Sequence, residues 1–258
     1  MAEKLKYFVN GQFRESKTDK WYDLHNPSTG EITGQAPCCT NDEVLEAIAA
    51  AKAAYPGWSA TPAIKRAQIL YRVRELILER MDELTMSVAK ENGKVWAESE
   101  GDVLKAKEGT ELATQVPSLM MGESIMDASR GYDTVKYREP LGVFAGIVPV
   151  NFPAMIPFGW MAPTCIAAGN TLVLKAASLT PKTAMLFAQL YKDAGVPDGV
   201  INVVTCSRNE INTILEHPDV KGITFVGSTP VGLKIYEKAA ANGKRCQALC
   251  QAKNHALV

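Results

Sequence analysis

Three short stretches carry side chains suited to holding a polar ligand. In "PVNFP" (149–153), Asn151 stands where an apolar run gives way to a helix-length segment. Its amide can donate to a developing oxyanion, or it can simply close a turn. In "LVLKAAS" (172–178), Lys175 ends a β-rich run. Its ammonium can reach a ribose hydroxyl or a phosphate, or it can remain a solvated strand-end lysine. In "FVGSTPVG" (225–232), Gly227 permits a tight turn, Ser228 or Thr229 can cap a helix, and Pro230 suits a first helical turn. An open helix N-terminus there would offer N–H groups to an anion such as a pyrophosphate. The same eight residues also describe an ordinary strand–turn–helix cap, and the G-x-G-x-x-G fingerprint is absent.

The elements that must position these groups follow from the pattern after Val143. The β-rich runs "VFAGIVP", "NTLVLKA", "VINVVTC", "GITFVGS" and "RCQALC" alternate with helix-length segments. Five strands with four crossover helices predict an α/β fold with a doubly wound parallel sheet, Rossmann-like, whose ligands sit at the carboxyl ends of the strands. Asn151, Lys175 and the Gly227–Ser228 turn then share the carboxyl edge, after the first, second and fourth of these strands. The apolar segment "FPAMIPFGWMAPTCIAAG" holds three prolines and reads as a buried helix, not a membrane span.

Upstream the chain reads mostly as helix. Asn10-Gly11 between apolar runs predicts a hairpin, and residues 26–31, "NPSTGE", a turn. Thr40 with Glu43 forms a capping box. Thr61-Pro62 is expected to cap and open a long helix carrying Ile69, Leu70, Val73, Leu76, Ile77, Met81 and Leu84, ended by Asn92-Gly93. A more polar helical pattern continues to about Thr114. Around Gly131 two strands with a thin apolar side predict a hairpin that leans on something else.

Lys plus Arg and Asp plus Glu are 28 each in 258 residues, a balance that argues against nucleic acid or an anionic membrane as partner. The six cysteines lack metal-ligand spacing, so no metal is expected, and reduced thiols point to a cytoplasmic protein. "RCQALC" alternates like a buried strand, which makes Cys246 and Cys250 structural thiols rather than nucleophiles.

Taken together, "NFPAMIPFGWMAPTCIAAGNTLVLKAAS", "FVGSTPVG" and "ALCQAKNHALV" resemble the aldehyde dehydrogenases. "DGVINVV", "HPDVKGITFVGS" and "AKNH" resemble their CoA-acylating, methylmalonate-semialdehyde branch. The resemblance implies an oxyanion-hole role for Asn151. It implies a cofactor site from Val150, Phe152, Lys175, Ser178, Leu179, Gly227, Ser228, Gly232 and Leu249. It also implies NAD as cofactor with NADP tolerated, since Ser178 stands where NAD-selective members carry a glutamate, and coenzyme A as acyl acceptor. Residues 1–123 would be the N-terminal hairpin and helical part, 124–140 an oligomerisation hairpin making a homo-oligomer, and 141–258 the dinucleotide-binding core. Two departures stand out. Ala248 occupies the position of the hydrolytic members' catalytic glutamate, and Cys250-Gln251 the usual Gly-Gly. No cysteine matches the family nucleophile, whose separate domain would follow Val258, so the expectation is a cofactor half that is inactive alone. A catalytically inactive nucleotide-binding or interaction protein, or a fragment complementing a separate catalytic chain, are the alternatives.

Overall fold

Asn10 and Gly11 adopt positive φ, 50° and 69°, as a tight hairpin turn requires. They join β1 (Tyr7–Val9) to β2 (Gln12–Arg14) in antiparallel register, Phe8 opposite Phe13. The computed structural model describes residues 3–252 and 255–257. The 26–31 turn connects β3 (Trp21–His25) and β4 (Ile32–Pro37), a second antiparallel pair that the helix-dominated reading of this region did not anticipate. The Thr40–Glu43 box opens α1 (Asn41–Ala60) with both reciprocal bonds present.

The long helix expected after Thr61-Pro62 is two helices. α2 (Ala63–Glu79) and α3 (Met81–Asn92) part at Arg80, whose φ of −110° and ψ of 20° leave the helical region. Thr61 caps neither: its hydroxyl donates back to the Gly57 carbonyl at 2.9 Å, closing α1. Gly93, at φ 74°, ends α3 as predicted. α4 (Trp96–Ala113) and the short α5 (Val116–Leu119) follow. β5 (Glu123–Ser129) and β6 (Tyr132–Lys136) then form a hairpin exposed along its whole length.

The remaining elements alternate: β7 (Val143–Ile147), α6 (Ala162–Ala167), β8 (Thr171–Lys175), α7 (Lys182–Asp193), β9 (Ile201–Val204), α8 (Arg208–Glu216), β10 (Val220–Val226), α9 (Thr229–Ala241) and β11 (Arg245–Leu249). α6 is entered through a π-helical stretch, Ile156–Met161, a relaxed winding that accommodates Pro157 and Pro163. The sheet order is β11-β10-β7-β8-β9-β1-β2, with the five later strands parallel and β1 antiparallel to β9. This is the expected doubly wound α/β sheet, extended by the N-terminal hairpin. From β7 the chain winds outward through β8 to β9, then returns to lay β10 on the other side of β7. That reversal opens the crevice where such sheets bind ligands.

Apolar side chains fill both faces, as parallel strands covered by helices require. Leu172 and Leu174 pack with Phe158, Phe187 and Tyr191 on one face. Val173 packs with Val44, Ile48, Ile214 and Ile235 on the other. α4 lies close against the π-helical stretch because both surfaces are glycine: a Cβ on Gly159 would stand 2.9 Å from the Ala106 Cα, and one on Gly109 would overlap the Gly159 carbonyl. No helix of the described residues is long and apolar enough to cross a membrane.

Candidate functional site

β7, β8 and β10 deliver the three predicted stretches to one edge of the sheet. Lys175 is the last residue of β8, in register with Ile147 and Val204. Its stem is buried, and burial holds its amine below the ordinary lysine range. It has no ion-pair partner among the described residues. It opens into a cleft of about 600 Å³ between α8 and α9, lined also by Ile147, Cys206, Arg208, Pro230 and Lys234. Cys206 lies buried at the same strand ends, and desolvation pushes its thiol up to about 12.

The first turn of α9 forms the other end of that cleft. Ser228 is its N-cap, with extended backbone (φ −72°, ψ 146°) and no side-chain capping bond, and Pro230 lies in the first turn. Pro230 has no N–H and the Val231 N–H donates to the Ser228 carbonyl at 3.2 Å, so the Thr229 N–H and the helix dipole are what this end offers an anion. Gly227 donates to the Leu249 carbonyl at 3.1 Å, tying the turn to β11. The glycines here serve packing: a Cβ on Gly227 would press on the Phe225 ring at 2.5 Å, and one on Gly232 would collide with the Cys250 Sγ.

Asn151 is exposed, in the loop after β7. Residues that the sequence reading missed hold this loop. The Val150 carbonyl accepts from Asn92 Nδ2 at 2.7 Å and from the Thr180 hydroxyl at 3.4 Å. Lys94 Nζ stands 3.9 Å above the Phe152 ring and 3.2 Å from the buried Asp102 carboxylate. Asp102 also accepts the Met155 backbone N–H at 2.7 Å. Desolvation raises the Asp102 pKa, opposed by that N–H bond and by Lys94. Nothing local in a polar helical stretch marks Asp102 as an inward-facing acid.

Ser178 lies in the turn after β8, half-buried, and does not cap α7. That helix is capped from afar: the Glu91 carboxylate accepts from the backbone of Lys182 at 2.8 Å and Thr183 at 3.0 Å. Of the predicted cofactor residues, Lys175 lines the α8–α9 cleft beside Pro230 and Val231 of the α9 turn. Asn151, Val150, Phe152, Ser178, Leu179, Gly227, Ser228 and Gly232 are outside its lining. Leu249 lines a separate groove on the α6 face, with Trp160 and Val226. Cys250 is exposed and Cys246 half-buried, which corrects the expectation of two buried thiols: β11 is an edge strand with helix cover on one side only. In the "AKNH" motif, Lys253 and Asn254 lie outside the described residues. Among the described residues no group of His, Cys, Asp and Glu is arranged to hold a metal.

The chain is 46% identical over 257 residues to malonate-semialdehyde dehydrogenase 2 of Geobacillus kaustophilus, covering all of this chain and 53% of that protein. It is 44% identical over 254 residues to the rat mitochondrial acylating methylmalonate-semialdehyde/malonate-semialdehyde dehydrogenase, covering 98% and 47%. The chain thus spans about half the length of the curated relatives it matches. A protein from Sinorhizobium meliloti assigned as a methylmalonate-semialdehyde dehydrogenase and solved with NAD superposes with a TM-score of 0.96 at 36% identity, over 99% of this chain and 52% of that one. An NADP-dependent enzyme of E. coli superposes with 0.91 at 34% identity, over 95% and 51%. The aldehyde dehydrogenase family model matches residues 13–258, and the chain belongs to that family.

Proposed function

We propose that this chain binds a nicotinamide adenine dinucleotide and is the cofactor-binding part of a CoA-acylating semialdehyde dehydrogenase. The observation that carries the reading is the shared cleft: an unpaired, half-buried Lys175 at one end and the uncapped N-terminus of α9 at the other. Lys175 would donate to the adenosine ribose, and the Ser228 turn would take the pyrophosphate. Asn151 would donate to the oxyanion, from a loop that Asn92, Thr180 and Asp102 keep in place. The bound dinucleotide supplies a hydride acceptor. Ala248 offers no general base where hydrolytic family members carry a glutamate, which supports transfer of the acyl group to coenzyme A rather than to water. The malonate-semialdehyde names of the relatives support a short semialdehyde as substrate. Residues 141–258 would form the binding core, and the 124–140 hairpin would join subunits.

Titration calorimetry with NAD and NADP tests the site. The parent chain is expected to bind, and Lys175→Met to weaken both ligands by about tenfold or more, roughly 1.4 kcal/mol, with circular dichroism unchanged. A parent chain that binds neither dinucleotide sinks the reading, as does a Lys175→Met variant that binds like the parent.

A further inference from the structure

The sequence holds three Asn-Gly pairs: Asn10-Gly11, Asn92-Gly93 and Asn242-Gly243. In such a pair the backbone nitrogen of the glycine can attack the asparagine side-chain carbonyl carbon, since no Cβ hinders its approach. By sequence the three are equivalent. The fold separates them by two tests: whether the glycine N–H is free to lose its proton, and whether the asparagine amide is free to turn toward it.

Two of the pairs close helices and fail both tests. Gly93 donates its N–H to the Ala89 carbonyl at 2.9 Å, and Asn92 Nδ2 donates to the Val150 carbonyl at 2.7 Å. Gly243 donates to the Ala240 carbonyl at 3.0 Å, and Asn242 Nδ2 to the Lys238 carbonyl at 2.8 Å. Asn10-Gly11 differs in both respects. Asn10 is exposed, and neither its side-chain amide nor the Gly11 N–H makes a hydrogen bond among the described residues. The bonds of this turn hold other atoms: the Asn10 backbone N–H donates to Asn202 Oδ1 at 3.0 Å, and the Gly11 carbonyl accepts from Lys192 Nζ. The turn joins two strands of three residues each, with β2 at the edge of the sheet. So short an edge opens readily, which frees the Asn10 backbone to rotate from its φ of 50° into the geometry of attack.

We propose that Asn10 is a site of self-deamidation, and that conversion there loosens the N-terminal extension of the sheet. The Gly11 nitrogen gives its proton to hydroxide and bonds to the Asn10 Cγ. The bond from Cγ to the amide nitrogen breaks, and that nitrogen takes a proton from water and leaves as ammonia. Water then opens the five-membered imide at either carbonyl, giving aspartate or isoaspartate. The net change turns asparagine and water into a carboxylate and ammonium, with nothing oxidised or reduced. The new carboxylate meets a charge already in place. Asn10 Oδ1 lies against Gly199, and the carboxylate of the preceding Asp198 fills the space where a Cβ on Gly11 would stand. Lys192, 4.0 Å from Asp198, already serves that carboxylate and the Gly11 carbonyl, so the two acids repel. Isoaspartate also routes the main chain through the former side chain, adding one carbon to a two-residue turn. The pairing of Tyr7 with Arg14, Phe8 with Phe13 and Val9 with Gln12 depends on that turn length.

Peptide mapping by mass spectrometry, on the chain held at mildly alkaline pH, follows all three pairs in one sample, native and in urea. In urea the three are expected to convert at similar rates. In the native chain Asn10 should convert several-fold faster than Asn92 and Asn242, in step with hydroxide concentration, with aspartate and isoaspartate both recovered. Native conversion led by Asn92 or Asn242, or equal at all three, would overturn the assignment. So would an Asn10 that stays intact while the urea sample reacts. Hydrogen exchange reads the consequence. The converted fraction should exchange amides across residues 7–14 faster than fresh chain. Asn10→Asp, which adds the charge without the extra carbon, should show a smaller part of that increase. Unchanged exchange in the converted fraction would overturn the loosening of the hairpin.

Discussion

Asp102 shows how a single side chain governs a loop it does not belong to. It is 2% exposed on α4, yet it holds both the Met155 N–H and the Lys94 ammonium, which in turn covers the Phe152 ring. Removing the carboxylate leaves a buried N–H and a half-buried cation without their acceptor. Asp102→Ala is expected to lower unfolding stability by about 3 kcal/mol in urea, and to speed amide exchange across residues 150–155. An unchanged denaturation midpoint would show that the Asp102 bonds are replaced by water. Asn151 and Lys175 were legible as strand-end residues because a strand end is written in neighbouring residues. Asp102 was not, because a carboxylate in a polar helix looks the same facing water or facing a backbone N–H of residue 155.

Among the elements, α1 and α7 contrast two ways of starting a helix. α1 is capped by Thr40 and Glu43, three residues apart, and was legible. α7 is capped by Glu91, nearly a hundred residues earlier in the chain, and was not. Burial drives the Glu91 carboxyl up to about 7, against the opposing bonds from Thr183 and Lys182. A carboxyl whose folded pKa lies above its unfolded value binds more protons when folded. Its contribution is complete below the unfolded value and is lost as pH rises through 7. Stability should therefore fall between pH 5.5 and 8 by on the order of 2 kcal/mol through this group alone. Glu91→Gln, which keeps an acceptor oxygen, should have a visibly flatter profile. Parallel slopes in thermal melts of the two proteins would assign the pH dependence elsewhere.

At the scale of the whole molecule, the β5–β6 hairpin is the least self-sufficient part. Among the described residues it pairs with no other strand, and Ile125, Met126, Tyr132, Val135 and Tyr137 are all exposed. A two-stranded ribbon is marginal on its own, and Arg138 anchors only its base, through the Leu119 and Met121 carbonyls. We expect the chain to self-associate through this hairpin, and the paired substitutions Ile125→Glu and Met126→Glu to shift it toward monomer in sedimentation equilibrium. β11 offers a competing contact, being an unpaired sheet edge. Association undiminished in the hairpin variant would place the contact there instead.

Signals confined to a few residues were set by the sequence itself: the Asn10-Gly11 turn, the Thr40 box, the Gly93 stop, and the alternation of β-rich and helix-length runs after Val143. Each depends on backbone preference or on a bond spanning three or four residues, so the local text suffices. The tertiary structure alone decided the extension of the sheet by β1 and β2, the break at Arg80, the caps and clasps supplied by Glu91 and Asp102, the exposure of Cys250, and the cleft that Lys175 shares with α8 and α9. These depend on which strand lies beside which, and a charged or thiol side chain carries no local mark of the neighbour it will meet across the fold.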